Sequence, residues 1–80
     1  MNKAIIKQKK NLYVDSMELQ NLDFLIKQTW TTLQEINVSR NQLGDISTLN
    51  QYPNIKVIDA SHNFLTKVIL STKKLEKLFL

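Results

Sequence analysis

The residue types best suited to acid–base chemistry lie together in one short stretch, where Asp59, Ser61 and His62 follow one another closely. A catalytic triad requires an imidazole held between a nucleophile and a carboxylate. On a strand Asp59 and Ser61 would face the same side, while His62 would follow at a bend, so nothing orients the ring. His62 is the only histidine and the chain has no cysteine, which excludes a His/Cys metal cluster. A single glycine, Gly44, cannot build a phosphate loop. We expect no catalytic residues, no metal site and no cofactor.

Two asparagines occupy a regular pattern of apolar residues. Residues 33–43 and 55–65 both read L-x-x-L-x-L-x-x-N-x-L, with aliphatic residues at the L positions and Ala60 at one of them. Because alternate side chains of a strand face one side, Ile36 and Val38 should both be buried. A buried amide is costly unless it forms hydrogen bonds. We therefore expect Asn41 and Asn63 to bond to the backbone of neighbouring bends, which is a structural role.

The segment after the first asparagine continues the pattern. Ile46, Leu49 and Tyr52 follow at intervals of three, which predicts a 3₁₀ helix, and Pro53 should end it. Trp30 stands three residues before Leu33, as Tyr52 does before Ile55, and both aromatics are expected to pack.

The complete 22-residue unit resembles the SDS22-like subclass of leucine-rich repeats. The resemblance implies an α/β leucine-rich-repeat solenoid, with a parallel strand ladder on its concave face and short helical or 3₁₀ returns on its convex face. The array is expected to span residues 14–80, after a basic N-terminal extension or cap at residues 1–13. Its expected parts are a degenerate capping repeat at 14–32, full repeats at 33–54 and 55–74, and a partial repeat at 75–80.

Two details concern the ends of this array. A first strand is expected from Val14 to Leu19, followed by a helical turn capped by Asp23. The last strand motif runs from Leu75 to Leu80 with no return segment after it in this sequence. Its open strand edge is expected to meet another repeat or a partner.

The residues between the core positions of the strands would line the concave face and are the candidate binding residues. Phe79 is the strongest single candidate, because exposed aromatics contribute much of the energy of interfaces. The candidates are Glu18, Glu35, Asn37, Ser39, Arg40, Val57, Asp59, Ser61, His62, Lys77 and Phe79. The resemblance implies a non-enzymatic adaptor or regulatory subunit that binds another protein, such as a phosphatase or a cytoskeletal component.

The charge distribution leaves an alternative open. The net charge of +4 arises from Lys3, Lys7, Lys9 and Lys10, since the rest of the chain carries seven basic and seven acidic residues. A basic arm can contact nucleic acid, so a component of an RNA-associated complex is one alternative, and a purely structural subunit of a large assembly is another. The sequence shows neither a secretory pattern nor an apolar run long enough to span a bilayer. We expect an intracellular protein, cytoplasmic in the first instance, with cytoskeletal or nuclear locations as alternatives.

Overall fold

The fold is built on one parallel sheet. The computed structural model describes residues 8–80. Its strands are β1 (Asn11–Tyr13), β2 (Glu35–Asn37), β3 (Val57–Asp59) and β4 (Lys77–Phe79). They lie in the order β1-β2-β3-β4, and each is parallel to the next. The parallel ladder predicted from the sequence is confirmed, and the architecture is consistent with a mixed α/β class.

The strand register sets which positions are equivalent along the chain. Leu12 pairs with Ile36, Ile36 with Ile58, and Ile58 with Leu78, so equivalent residues are 24, 22 and 20 positions apart. Every strand therefore presents an aliphatic side chain at its central position, on the same side of the sheet.

The first strand differs from the sequence-based prediction. A strand over 14–19 was predicted, whereas β1 is Asn11–Tyr13, within the segment assigned to the basic extension. The physical reason is that Leu12 in β1 matches Ile36 in β2, and Val14, directly after β1, matches Val38, directly after β2. Met17 then occupies the position equivalent to Asn41, so the pattern is present but lacks its asparagine.

The core lies against one side of this sheet. Ile36 and Ile58 are completely buried, whereas their neighbours on each strand are half-buried. Leu12 and Leu78, on the outer strands, retain exposure. The buried apolar residues are Leu22, Leu25, Leu33, Ile36, Val38, Leu43, Ile46, Leu49, Tyr52, Ile55, Ile58 and Ala60.

Two 3₁₀ helices connect the strands, Asp23–Leu25 after β1 and Ser47–Gln51 after β2. The second was predicted from the interval of three residues. Asp23 does not cap the first helix as predicted, since the helix begins at Asp23 and the N–H of Asp23 donates to Asn21 Oδ1 at 3.1 Å. Ser47 N–H donates to Asp45 Oδ1 at 2.8 Å in the same way. Both helices thus begin with a side chain that binds a backbone amide two residues ahead.

The two asparagines fasten the bends that follow the strands. Asn41 Oδ1 accepts the N–H groups of Met17 and Leu19, each at 2.9 Å, and Asn41 Nδ2 donates to the carbonyl of Val14 at 3.1 Å. Asn63 Oδ1 likewise accepts the N–H of Leu43 at 3.0 Å. Each asparagine therefore satisfies backbone groups of the preceding bend, which confirms its predicted structural role.

Tyr52 links the two helical segments. The Tyr52 hydroxyl donates to the carbonyls of Leu25 and Gln28, the latter at 3.2 Å, and the Gln51 carboxamide donates to both carbonyls at 3.0 Å. Burial raises the pKa of Tyr52, so the hydroxyl remains a donor at neutral pH. The Tyr52 ring lies 6.5 Å from that of Trp30, so the two aromatics pack together as expected.

We expect Tyr52→Phe to lower the free energy of unfolding by about 1–2 kcal/mol, because the variant lacks the hydrogen bonds of the buried hydroxyl. The loss is limited because the Gln51 carboxamide still donates to both carbonyls. Urea denaturation measures this change. The matched control is Tyr13→Phe, whose side chain is 56 % exposed and whose loss of a hydroxyl should cost less than about 0.5 kcal/mol. Equal stability of the two variants would contradict the role assigned to the Tyr52 hydroxyl.

Candidate functional site

One side of the sheet carries no covering layer within the described residues. The side chains at the first and third positions of each strand face away from the core. We call these eight residues the open face: Asn11, Tyr13, Glu35, Asn37, Val57, Asp59, Lys77 and Phe79.

The register arranges the open face in two rows that run across the strands. The first row is Asn11, Glu35, Val57 and Lys77, and the second is Tyr13, Asn37, Asp59 and Phe79. Since neighbouring strands are about 4.8 Å apart, each row spans about 14 Å. This length matches about nine residues of an α-helix at 1.5 Å per residue.

Aromatic residues stand at both ends of the second row. Tyr13 is 56 % exposed and Phe79 is 51 % exposed. Phe79 was a predicted candidate, whereas Tyr13 was not, because the first strand was placed too late in the sequence. The signal that would have found Tyr13 is its position between Leu12 and Val14, which match Ile36 and Val38.

The middle of the second row is already bonded within the chain. Asn37 Oδ1 accepts the N–H of Ser39 at 2.9 Å and its hydroxyl at 2.6 Å. Asp59 Oδ1 accepts the same two groups of Ser61, at 3.1 and 2.7 Å. Asn37 and Asp59 are half-buried, and Ser39 is buried, which contradicts its placement among the outward-facing residues. These pairs close the turns after β2 and β3, and they occupy the single side-chain oxygen of Asn37 and one of the two carboxylate oxygens of Asp59.

Besides Ser39 and Ser61, which follow β2 and β3, three other predicted candidates lie outside the open face. Glu18, predicted on the first strand, follows β1 in the bend with φ of 57°. Arg40 and His62 have φ of 56° and 58°, so the backbone turns at these residues through the left-handed region. All three side chains are exposed, but they stand on the bends beyond the strand ends. His62 thus lies at the bend after β3, whereas Asp59 is on the strand and bonds to Ser61.

The electrostatic character of the open face changes across the sheet. Glu35 lies beside Tyr13, and partial desolvation of the phenol together with the Glu35 carboxylate raises the pKa of Tyr13. The phenol therefore stays neutral and can donate a hydrogen bond at physiological pH. Lys77 at the opposite end supplies a positive charge beside Phe79. The face thus combines two aromatic ends, a carboxylate near one and an ammonium near the other.

The basic N-terminal residues are only partly described. Lys3 and Lys7, proposed as nucleic-acid contacts, lie outside the described residues. The Lys9 ammonium lies 5.9 Å from the centre of the Trp30 ring, in a cation–π arrangement. The Lys10 carbonyl accepts the N–H groups of Gln34 and Glu35 at 2.8 and 3.1 Å. The backbone at Lys10 is therefore part of the sheet, and the Lys9 side chain covers an aromatic ring.

Comparisons of the chain with protein-family models, with curated proteins and with solved structures found no match. In residues 8–80 no three His, Cys, Asp or Glu side chains are grouped so that they could hold a metal ion. The described part of the chain also contains no helix with the length and apolarity needed to cross a membrane.

Proposed function

We propose that this chain is a leucine-rich-repeat module, a solenoid of the SDS22-like type, that binds another protein through the open face. Support for the repeat comes from the motif in residues 33–43 and 55–65 and from the asparagines, whose amides bond to successive bends. A parallel ladder with short 3₁₀ connections is the architecture that such repeats form. In this proposal the module is a non-enzymatic intracellular adaptor or regulatory subunit.

The observation that carries the binding proposal is the set of large side chains on the open face that the fold does not use. Tyr13 and Phe79 are more than half exposed although each stands on a strand of the central sheet. Aromatic residues at a protein surface are frequent sources of binding energy, since they bury a large area with little loss of side-chain entropy. Val57 adds an aliphatic contact between them.

The dimensions of the face indicate the shape of the partner segment. Two aromatic anchors about 14 Å apart suit a helix or a short extended segment laid across the strands. The segment would present an apolar group at each end. A cationic group between them would reach Glu35, and the free oxygen of Asp59 would add a second acceptor.

Affinity capture with matched variants tests this proposal. The 80-residue chain, its Tyr13→Ala/Phe79→Ala variant and a Phe24→Ala/Ile69→Ala control are each immobilised, and bound proteins from an extract of expressing cells are quantified by mass spectrometry. Phe24 and Ile69 are 41 % and 59 % exposed but lie outside the open face, so the control removes similar apolar surface. We expect proteins that bind the wild type and the control but are depleted at least about tenfold on the open-face variant, as loss of one or two interface hot spots implies.

Two results would count against the proposal. If the open-face variant and the control lose the same proteins, binding follows general surface hydrophobicity. If the open-face variant keeps every protein that the wild type binds, the interaction surface lies elsewhere. Thermal melting of all three chains verifies that they are folded.

The alternative based on the lysines has less support. The Lys9 ammonium lies over the Trp30 ring, and Lys3 and Lys7 lie outside the described residues, so the described structure adds no observation in favour of this contact beyond the charge of the sequence. We therefore retain the protein-binding proposal.

A further inference from the structure

Each connection between two strands ends in a turn of the same kind, just before the next strand begins. At residues 30–33, 52–55 and 72–75 the N–H of the last residue donates to the carbonyl of the first, at 3.2, 3.3 and 3.3 Å. We call these the first, second and third turns. Their middle residues are Thr31 and Thr32, Pro53 and Asn54, and Lys73 and Lys74. The third turn therefore carries two ammonium groups where the other two turns have uncharged residues.

A cleft of about 480 Å³ lies between the second and third turns. This volume is within the range of sites that hold small molecules. The cleft is lined by two ammonium groups, two carboxamides and two hydroxyls, and no carboxylate is among its lining groups. Its polar lining residues are Asn50, Asn54, Ser71, Thr72, Lys73 and Lys74.

The positive charge of this cleft is not a general property of the repeat. An equivalent cleft of about 320 Å³ lies between the first and second turns. It is lined by Trp30, Tyr52, Pro53 and uncharged polar residues. The charge is therefore a feature of the cleft beside the third turn, which we call the lysine cleft.

The hydrogen bonds within the lysine cleft leave an excess of donors. Asn50 Oδ1 accepts the N–H of Ser71 at 2.7 Å, and Asn54 Oδ1 accepts a hydrogen bond from Lys74 Nζ at 2.9 Å. Both carboxamide oxygens are thus engaged within the fold, and the second of these bonds holds the Lys74 ammonium at the cleft. The ammonium groups can donate further hydrogen bonds, because each carries three N–H groups and no acceptor. This balance favours a ligand that is rich in acceptor oxygens.

The charges of the surrounding surface act in the same direction. The edge of the sheet where the strands begin comprises residues 8–11, 30–35, 52–57 and 72–77. It contains six lysines and two glutamates, whereas the rest of residues 8–80 contains three basic and five acidic residues, with the histidine not counted. The charged residues of the edge are Lys9, Lys10, Lys56, Lys73, Lys74, Lys77, Glu35 and Glu76. A surface with one predominant sign of charge raises the local concentration of oppositely charged ligands.

We propose that the lysine cleft binds a phosphate monoester group, carried by a soluble small molecule or by a lipid headgroup. The Lys73 and Lys74 ammonium groups bind the phosphate oxygens, and the Ser71 hydroxyl adds a neutral donor. The buried hydroxyl of Thr72 has no hydrogen-bond partner within residues 8–80, so its rotation toward the ligand breaks no existing hydrogen bond. The cleft contains no residue of the open face, and this proposal is therefore independent of the protein-binding proposal.

The two lysines favour a phosphate over a carboxylate. A phosphate monoester carries a charge of about −1.5 to −2 at neutral pH and presents three strong acceptor oxygens. It can therefore neutralise both ammonium groups at once. A carboxylate carries one negative charge and leaves one ammonium group without a counter-charge.

Two binding measurements test the proposal and identify the source of the phosphate. In the first, the 80-residue chain is titrated with glycerol phosphate and its amide signals are followed by NMR. In the second, it is sedimented with phosphatidylcholine vesicles that contain either phosphatidic acid, a phosphate monoester, or phosphatidylglycerol, a diester, at equal surface charge. Saturable shifts at residues 71–74 identify a soluble ligand. Preferential binding to phosphatidic acid identifies a lipid headgroup, and both results together show that the phosphate itself is recognised.

One combination of results would overturn the proposal. In it, glycerol phosphate causes no saturable shifts at residues 71–74, and the two kinds of vesicle are bound equally or not at all. Equal binding to both vesicles reports only a general attraction between a basic protein and a negative surface.

A pair of double variants tests the residues of the lysine cleft. Lys73→Gln/Lys74→Gln removes both ammonium groups, whereas Lys27→Gln/Lys67→Gln removes the same net charge at exposed positions outside the cleft. We expect the first variant to bind the phosphate at least about tenfold more weakly than wild type, because two charge-assisted hydrogen bonds are lost. The second should bind within about threefold of wild type, since distant exposed charges are screened by salt. Thermal melting verifies that both are folded, and equal affinities of the two variants would refute the assignment to this cleft.

Discussion

Replacing Ile36 with aspartate is expected to unfold the chain. Ile36 is completely buried and lies between Leu12 and Ile58 in the sheet, so a carboxylate there would have only aliphatic neighbours on either side. An unpaired buried charge costs more than about 4 kcal/mol. A chain of this length has a total free energy of unfolding of about 4–12 kcal/mol, at about 0.05–0.15 kcal/mol per residue. The substitution therefore removes most or all of the stability.

Circular dichroism during heating provides the measurement. Wild type should show a cooperative transition, and Ile36→Asp should show none. Ile69→Asp is the control, because Ile69 is 59 % exposed and a surface substitution changes the free energy of unfolding by less than about 0.5 kcal/mol. A cooperative transition in Ile36→Asp at the wild-type temperature would contradict the placement of Ile36 in the core.

Asn41→Ala should give the second large effect, a loss of about 3 kcal/mol in the free energy of unfolding. Besides its bonds to Met17, Leu19 and Val14, Asn41 Nδ2 donates to the carbonyls of Val38 and Ser39 at 2.9 and 3.1 Å. Each buried backbone group left without a partner costs about 1–3 kcal/mol, and water entering the bend recovers part of the total.

Chemical denaturation of Asn41→Ala, compared with Asn63→Ala, measures the effect. Asn63 is half-buried, whereas Asn41 is 6 % exposed, so solvent can replace the Asn63 amide more readily. We expect Asn63→Ala to lose about 1–2 kcal/mol. Asn41→Asp keeps the oxygen that accepts from Met17 and Leu19 but removes the Nδ2 donor. The decrease in its free energy of unfolding therefore measures the contribution of the three hydrogen bonds from Nδ2 to backbone carbonyls. A smaller loss in Asn41→Ala than in Asn63→Ala would contradict this account.

The sequence correctly predicted the parts of the fold in which the same spacing of apolar residues recurs. Strands β2 and β3 were located because aliphatic residues alternate and an asparagine follows at a fixed distance in both. The second 3₁₀ helix was predicted because its apolar residues recur at the period of that helix. The fourth strand also lies inside its predicted segment.

The prediction misplaced the first strand because two positions of the repeat pattern are occupied there by residues of other types. Lys9 and Met17 stand where Leu33 and Asn41 stand in the next unit, so the pattern appeared to begin at Val14. The interval of seven residues from Leu12 to Leu19 equals that from Ile36 to Leu43, and this interval would have given the correct register.

The candidate site was predictable in outline but not in its details. Alternation on β2, β3 and β4 identified Glu35, Val57, Lys77 and Phe79 on the open face. Alternation could not show that Ser39 is buried, because the bend that buries it depends on hydrogen bonds between side chain and backbone. The same bonds occupy the single side-chain oxygen of Asn37, whereas Tyr13 and Phe79 at the ends of the row are more than half exposed.

Each asparagine binds the bend that precedes it in the chain, so the order of synthesis sets the order in which the bends can form. Asn41 fastens the bend that follows β1, and Asn63 fastens the bend that follows β2. During synthesis on the ribosome the first bend therefore has no lock until residue 41 has emerged, and the second has none until residue 63 has emerged. The nascent chain should acquire its structure one strand behind translation, each new segment completing the segment made before it.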